Sequence, residues 1–233
     1  MPITNRLLAA LPKKEYQRLL PELEHVPLVF GDVLYESGET INHVYFPEGG
    51  IISLLSSVGS RKVLEVGIVG NEGMAGLPVV LGVRASLNRG LVQSGGTAAK
   101  VKTAVLQREF KRDGALQRLL HRYLHSLLTQ ISQSAVCNRF HTVDARLARW
   151  LLMTHDRVES DEFRLTQEFL SHMLGVRREA VSKAAGDIQK QEIINYSRGY
   201  ITILNRAGLE SIACECYRII RDESDHYLTK RRG

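Results

Sequence analysis

The apolar and polar positions of this chain change texture three times. Between residues 5 and 25, apolar pairs are interrupted by charge (Leu7, Leu8, Leu11, Tyr16, Leu19, Leu20, Leu23), which predicts short helices broken at Pro12 and Pro21. From Val26 to about Val105 the apolar runs are short and β-rich: "HVYF", "GIISLLSSV", "KVLEVGIV" and "RGLVQ". Glycine-bearing turns separate them, and most of the chain's 19 glycines fall between residues 31 and 96. Many short strands at this spacing predict a sandwich or small barrel. Beyond Val105 the glycines thin out, and residues 114–140 carry apolar side chains at 116, 119, 120, 123, 124, 127, 128, 131 and 135. That spacing of three and four predicts one helix of roughly 40 Å, at about 1.5 Å per residue. Its apolar stripe is wider than a single surface needs. We read two contacts, one with the barrel and one with a second copy of the helix in a short parallel coiled coil. A plain buried core helix is the alternative.

The next run, "TVDARLARWLLMTHDRV", predicts a helix from about Thr142 that ends before the polar stretch "ESDEF". Then comes "LTQEFLSHMLGVRREAVSKAAGDIQ", residues 165–189, which reads as two short helices bent around Gly175. Thr166 is a suitable N-cap for the first. Gly175 is free to take the left-handed conformation that a sharp helix-to-helix turn requires. Val176 plugs the corner, and a second helix runs from about Arg177 to Lys190. Leu170, Leu174, Val176, Val181, Ala185 and Ile188 form the inward set, while the small Ser171 lets the helices close at a steep angle. This is helix-turn-helix patterning. "EIINYSRGYITILN" follows as two β runs around Ser197-Arg198-Gly199, a hairpin. "GLESIACECYRIIRDESDHYL" reads as a single closing amphipathic helix.

A step of 100° per residue puts Glu179, Ser182, Lys183 and Gly186 opposite Val181 on the second helix, with Arg178 on the flank near its N-terminus. A recognition helix reads base edges with residues near that end. Arginine can donate two bonds to guanine, and glutamate can accept from the cytosine amino group. The free N–H groups of both helix starts suit phosphates. The candidate contacts to double-stranded DNA are therefore Thr166, Gln167, Arg177, Arg178, Glu179, Ser182 and Lys183, with Ser197 and Arg198 on a wing that presses the backbone.

Charge supports this only weakly. The net charge is +6, but residues 1–112 hold 13 Lys+Arg against 10 Asp+Glu, and residues 141–233 hold 15 against 14. Residues 164–206 do better, with 7 basic against 4 acidic. The nucleic-acid reading rests on geometry. Three cysteines, an odd number, and an N-terminus without a signal peptide point to a reducing cytoplasm. No apolar run approaches the roughly 18–20 residues that span a bilayer. An enzyme is disfavoured: there is no Gly-x-Ser-x-Gly elbow, phosphate loop or HExxH motif, and the barrel's two histidines, His25 and His43, make no His-x-His pair.

The order barrel, long helix, winged helix-turn-helix resembles the CRP/FNR superfamily of bacterial transcription regulators. The resemblance runs from about Leu19 to Leu204 and is most specific in "LTQEFLSHMLGVRREAVSK", where Arg178 and Glu179 occupy the family's base-reading places and Lys183 that of a third basic contact. It implies an α+β chain with three parts. A cyclic-nucleotide-binding-like β-barrel (double-stranded β-helix) takes residues 1–112, a dimerisation helix 113–140 and a winged helix-turn-helix 141–233. It further implies a homodimer through residues 114–137 on a near-palindromic operator, with RNA polymerase as a partner. The sensory end departs from the family's nucleotide binders. In "NEGMAGLPVVLGVRASLNRGLVQ", Met74 stands where those proteins hold a ribose with glutamate, Glu72 lies two residues early, and Arg89 is followed by Gly90-Leu91. Losing that carboxylate removes affinity for a buried hydroxyl. Glu72, Met74 and Arg89 are the candidate effector pocket, with Val79, Val80, Leu81 and Leu91 as apolar lining and the effector something other than cyclic AMP. A cyclic-nucleotide regulator with an unusual pocket, or a ligand-binding adaptor that has lost DNA, are the alternatives. No cofactor and no metal site is expected. With the first cysteine at Cys137 there is no N-terminal iron–sulfur group, His121 and His125 read as a solvated or interface pair, and Cys214 and Cys216 point about 200° apart on one helix.

Overall fold

A computed structural model describes residues 3–59, 62–158 and 160–228. Two short helices, α1 (Arg6–Ala9) and α2 (Lys13–Leu19), are parted at Pro12, and a 3₁₀ turn at Leu20–Glu22 leads into the strands. Seven strands follow: β1 (Glu24–Leu28), β2 (Val33–Tyr35), β3 (His43–Pro47), β4 (Ile51–Val58), β5 (Lys62–Val69), β6 (Arg89–Ser94) and β7 (Gly96–Lys102). They form two antiparallel sheets, ordered β1-β7-β3 and β2-β6-β4-β5. The first strand of the chain thus pairs with the last of the unit, which closes the β-rich domain on itself.

Strand alternation explains how the second sheet is used. Ile52 and Leu54 of β4, Val69 of β5 and Val92 of β6 face the barrel interior, where they join Phe46, Met74, Leu106 and Leu120. Their neighbours Ile51, Leu55 and Ile68 face the other way and join a second core with Trp150, Leu151, Leu170 and Val181. Successive side chains on a strand point to opposite faces, so one sheet serves as the wall between two cores. Apolar residues on both sides of β4, Ile51, Ile52, Leu54 and Leu55 around a buried Ser53, are what a strand covered on both faces requires.

Helix α3 (Thr103–Phe110) leads to α4 (Ala115–Phe140), whose 26 residues match the predicted long helix. Leu116, Leu119, Leu120, Tyr123 and Leu127 are buried against the barrel. Leu128 stays 53% exposed, with Leu124, Ile131 and Ala135 completing a strip at spacings of three and four that is only partly covered. Among the described residues no helix is long and apolar enough to cross a membrane.

The C-terminal third contains α5 (Val143–His155), β8 (Glu162–Arg164), α6 (Gln167–Leu174), α7 (Arg178–Lys190), β9 (Ile194–Ser197), β10 (Tyr200–Ile203), α8 (Arg206–Ile212) and α9 (Cys216–His226). Two elements differ from the sequence reading. The polar stretch after α5 supplies β8, which adds to the predicted hairpin as a three-stranded sheet, β8-β10-β9. The closing segment is not one helix. Asn205 caps α8 by accepting from Gly208 N–H at 2.9 Å, and the chain then becomes extended at Ala213 (φ −63°, ψ 144°) before α9 begins. Two partners cause the break: α8 packs on α5, whereas α9 runs mainly along α4, where Tyr227 meets Tyr123 at 5.6 Å, and touches α5 near its start. A straight helix could not serve both. Cys214 and Cys216 are therefore not held 200° apart on one helix, because only Cys216 is helical.

Candidate nucleic-acid interface

The helix-turn-helix forms for the local reasons its residues suggest. The Thr166 hydroxyl accepts from Phe169 N–H at 3.1 Å and starts α6. Gly175 ends it with φ +62°, a left-handed conformation that favours glycine, and a Cβ there would press on the Leu64 side-chain tip of β5 at 2.7 Å. Ser171 is buried at the turn and donates to the Glu168 carbonyl at 2.7 Å. The buried Arg146 guanidinium on α5 donates to the Leu174 carbonyl, one of the acceptors a helix C-terminus leaves open. On α7, Val181, Ala184, Ala185 and Ile188 face the core, and Val176 at the corner is half-buried.

The opposite face is free. Arg178, Glu179 and Lys183 are exposed, Ser182 is half-buried, and Arg177 is the exposed N-cap residue. Among the described residues none of Arg177, Arg178, Lys183 or Arg198 enters an ion pair, whereas Lys190 at the far end of α7 pairs with Asp187 at 3.0 Å. An unpaired guanidinium keeps its donors for a ligand.

The wing is fastened to the start of α6. Ser197 and Tyr200 pair across a two-residue turn in which Arg198 (φ +52°) and Gly199 (φ +80°) are both left-handed. Gly199 O accepts from Leu165 N–H at 2.7 Å, the residue before the α6 cap. That bond sets Arg198 beside Thr166 and Gln167. Together with Arg178 and Tyr196 these line one shallow concavity, so four of the nine sequence-predicted contacts converge there. Glu179, Ser182 and Lys183 continue along α7, and Ser197 is exposed on the wing. Arg177 lies on another side, in a gap lined also by Val58, Lys62 and Leu64 of the barrel. Tyr196 was missed from sequence, because it reads as an ordinary strand aromatic. Its backbone N–H bonds Gln189 of α7 at 2.7 Å, and burial raises its phenol pKa while nearby Arg178 opposes the rise.

The candidate effector residues do not come together. Met74 is fully buried and lines a small apolar cavity of about 140 Å³ between barrel and α4, with Tyr35, Leu54, Ser86, Asn88 and Leu127. Glu72 instead forms a buried ion pair with Arg157, just beyond α5, at 2.9 Å. Arg89 is drawn outward to Glu36 at 3.0 Å. Of the expected apolar lining, Leu81 reaches this cavity, Val79 and Val80 belong to the barrel core, and Leu91 packs against the second core. His125 faces Glu223 at 3.6 Å and His121 stacks edge-on to Phe110, so the two histidines have separate neighbours.

Residues 145–212 match the Crp-like helix-turn-helix domain. No curated protein matches the sequence. Solved structures do match the fold over most of the chain. FixK2 from Bradyrhizobium japonicum superposes with a TM-score of 0.70 at 17% identity, over 82% of this chain and 98% of that one. The c-di-GMP responsive global regulator CLP from Xanthomonas campestris gives 0.67 at 15%, over 82% and 99%. A CRP-family transcriptional regulator from Thermus thermophilus gives 0.66 at 17%, over 81% and 96%.

Proposed function

We propose that this chain, which by its Crp-like helix-turn-helix domain and its fold belongs to the CRP/FNR superfamily, acts as a homodimeric, sequence-specific regulator of transcription in a bacterial cytoplasm. Residues 1–112 act as the sensory unit, 113–140 as the dimerisation helix and 141–233 as the DNA-binding unit. The observation that carries the reading is the convergence of Thr166, Gln167, Arg178 and Arg198 on one concavity beside the uncommitted face of α7. Arg178 and Glu179 read base edges, Lys183 and Arg177 add positive charge, and Thr166, Gln167, Ser197 and Arg198 hold phosphates. The partly exposed strip of α4, with Leu124, Leu128 and Ile131, is the dimer seam. A two-fold dimer places its recognition helices on half-sites about one helical turn apart.

The effector is a small, largely apolar molecule or none. Among the described residues no charged side chain lines the Met74 cavity, and the acid and the base that a nucleotide would need are engaged elsewhere, Glu72 with Arg157 and Arg89 with Glu36. Because Leu124, Leu128 and Ile131 line that cavity as well as the seam, a ligand there would bear directly on dimerisation.

The test is a fluorescence-anisotropy titration of the purified protein against operators selected from random DNA, at several salt concentrations, with and without cyclic AMP. Tight, sequence-dependent binding that ignores the nucleotide is expected. Binding that is equal on all sequences, or absent, would sink the regulator reading. Binding that appears only with cyclic AMP would sink the pocket reading alone.

A further inference from the structure

The break between α8 and α9 brings together two pairs of residues that lie far apart in sequence. Cys137 occupies the last turn of α4 and His141 is that helix's C-cap, four residues on and therefore on the same face. Cys214 lies in the break and Cys216 opens α9. Their ligand atoms all fall within 4.8 Å of one another. The Cys137 and Cys214 sulfurs are 3.5 Å apart, and the Cys216 sulfur is 3.6 Å from His141 Nδ1.

We propose that Cys137, His141, Cys214 and Cys216 form a structural site for a single tetrahedral, zinc-class divalent ion. The donor set is Cys₃His, one of the common closed zinc sets. Spacing fits one ion: metal–sulfur bonds of about 2.3 Å at tetrahedral angles put neighbouring sulfurs about 3.8 Å apart. A polynuclear iron–sulfur cluster, with thiolates on separate irons, needs a wider cage.

Three further observations point the same way. The cysteines are not spread through the aliphatic cores, as small apolar residues would be. They form a cluster of their own, with Ala145 as the only partly buried hydrophobic packed against it among the described residues. His141 presents Nδ1 to the Cys216 sulfur, while its Nε2 faces the Glu215 carboxylate at 3.6 Å. Metal-ligating histidines are oriented by such a carboxylate on the other ring nitrogen. Finally, Arg146 and Arg149, both buried, lie close to Cys137, and the Nε of each has no hydrogen-bond partner among the described residues. Buried cations need counter-charge. Three thiolates around a divalent ion carry a net charge of −1 and supply it. On binding, each thiol gives its proton to solvent and its sulfur lone pair to the ion, with no change of oxidation state.

The ion would tie the end of α4 to the α8–α9 link, the place where the long helix meets the DNA-binding unit.

The experiment uses the full chain, reduced, stripped with a chelator and titrated anaerobically with Co²⁺. The expected result is uptake of one ion per chain, with a thiolate-to-cobalt charge-transfer band and the strong visible bands of tetrahedral cobalt, both lost on adding Zn²⁺. Cys137→Ser and Cys216→Ser should lose charge-transfer intensity and most of the affinity. The exposed second partner gives a milder arm that keeps the fold: Glu215→Gln should weaken binding about 10–100-fold. His141→Ala, at the helix end, tests the nitrogen ligand without emptying a core. Absence of tetrahedral thiolate bands, unchanged uptake in His141→Ala, or an iron–sulfur chromophore in the isolated protein would each overturn the proposal. So would a Cys137–Cys214 disulfide that persists in reductant.

Discussion

Arg198 sits at the tip of a hairpin with φ +52°, a conformation that costs an L-residue about 1–2 kcal/mol and that asparagine or glycine would adopt more easily. The chain keeps an arginine there, where the Leu165–Gly199 bond holds it beside Thr166 and Gln167. Stability and binding should therefore move in opposite directions. Arg198→Asn is expected to raise thermal stability slightly while reducing the salt dependence of DNA affinity by about one counterion, measured from the slope of log affinity against log salt. Arg178→Ala is expected to cost about 1–3 kcal/mol at one operator base pair and to relax specificity there. Equal loss on random DNA would make it a phosphate contact instead. Glu65 carries the third residue-scale prediction. It accepts from Ser53 and from Trp150 Nε1, both at 2.7 Å, yet burial pushes its carboxyl up to about 7 from an ordinary 4.5. The folded protein thus holds a proton that the unfolded chain releases. Its contribution is full below about pH 4.5 and is lost as pH rises through about 7. Wild-type melting temperature should drift down between pH 5 and 8, and Glu65→Gln should flatten that drift in a calorimetric series.

At the scale of elements, α4 carries two apolar strips, one buried and one partly exposed. Leu116, Leu120, Tyr123 and Leu127 are buried, while Leu128 is 53% exposed on the strip with Leu124 and Ile131. Leu128→Glu should leave the barrel intact and shift the protein towards monomer, read by sedimentation, with DNA affinity falling alongside. An unchanged dimer would place the seam elsewhere. The strong periodicity of α4, α5, α6 and α7, and the Arg198-Gly199 turn, were legible because local pattern and local chemistry decide them. Strand β8 was not legible, since "EFR" becomes a strand only by pairing with β10. Nor was the α8–α9 break, where a continuous amphipathic pattern is divided between two partner helices. The Cys137-x₃-His141 and Cys214-x-Cys216 spacings were visible throughout, but the assumed straight helix pointed the second pair apart. The separation of the candidate effector residues was hidden for a related reason: Glu72 and Arg89 pair with Arg157 and Glu36, partners distant in sequence.

The whole molecule is organised around a shared wall. β4 and β5 send Ile52, Leu54 and Val69 into one core and Ile51, Leu55 and Ile68 into the other, and the Glu72–Arg157 pair crosses near the same boundary. Removing either partner of so buried a pair would leave an uncompensated charge, a cost of about 3–5 kcal/mol. The two halves are therefore poor interchangeable parts. A fragment ending at residue 112 would bare the outer face of its own sheet, with three large aliphatic side chains turned to water, and should aggregate where the full chain does not. Grafting this barrel onto a different helix-turn-helix unit would fail for the same reason unless the side chains that cover Ile51, Leu55 and Ile68 travelled with it.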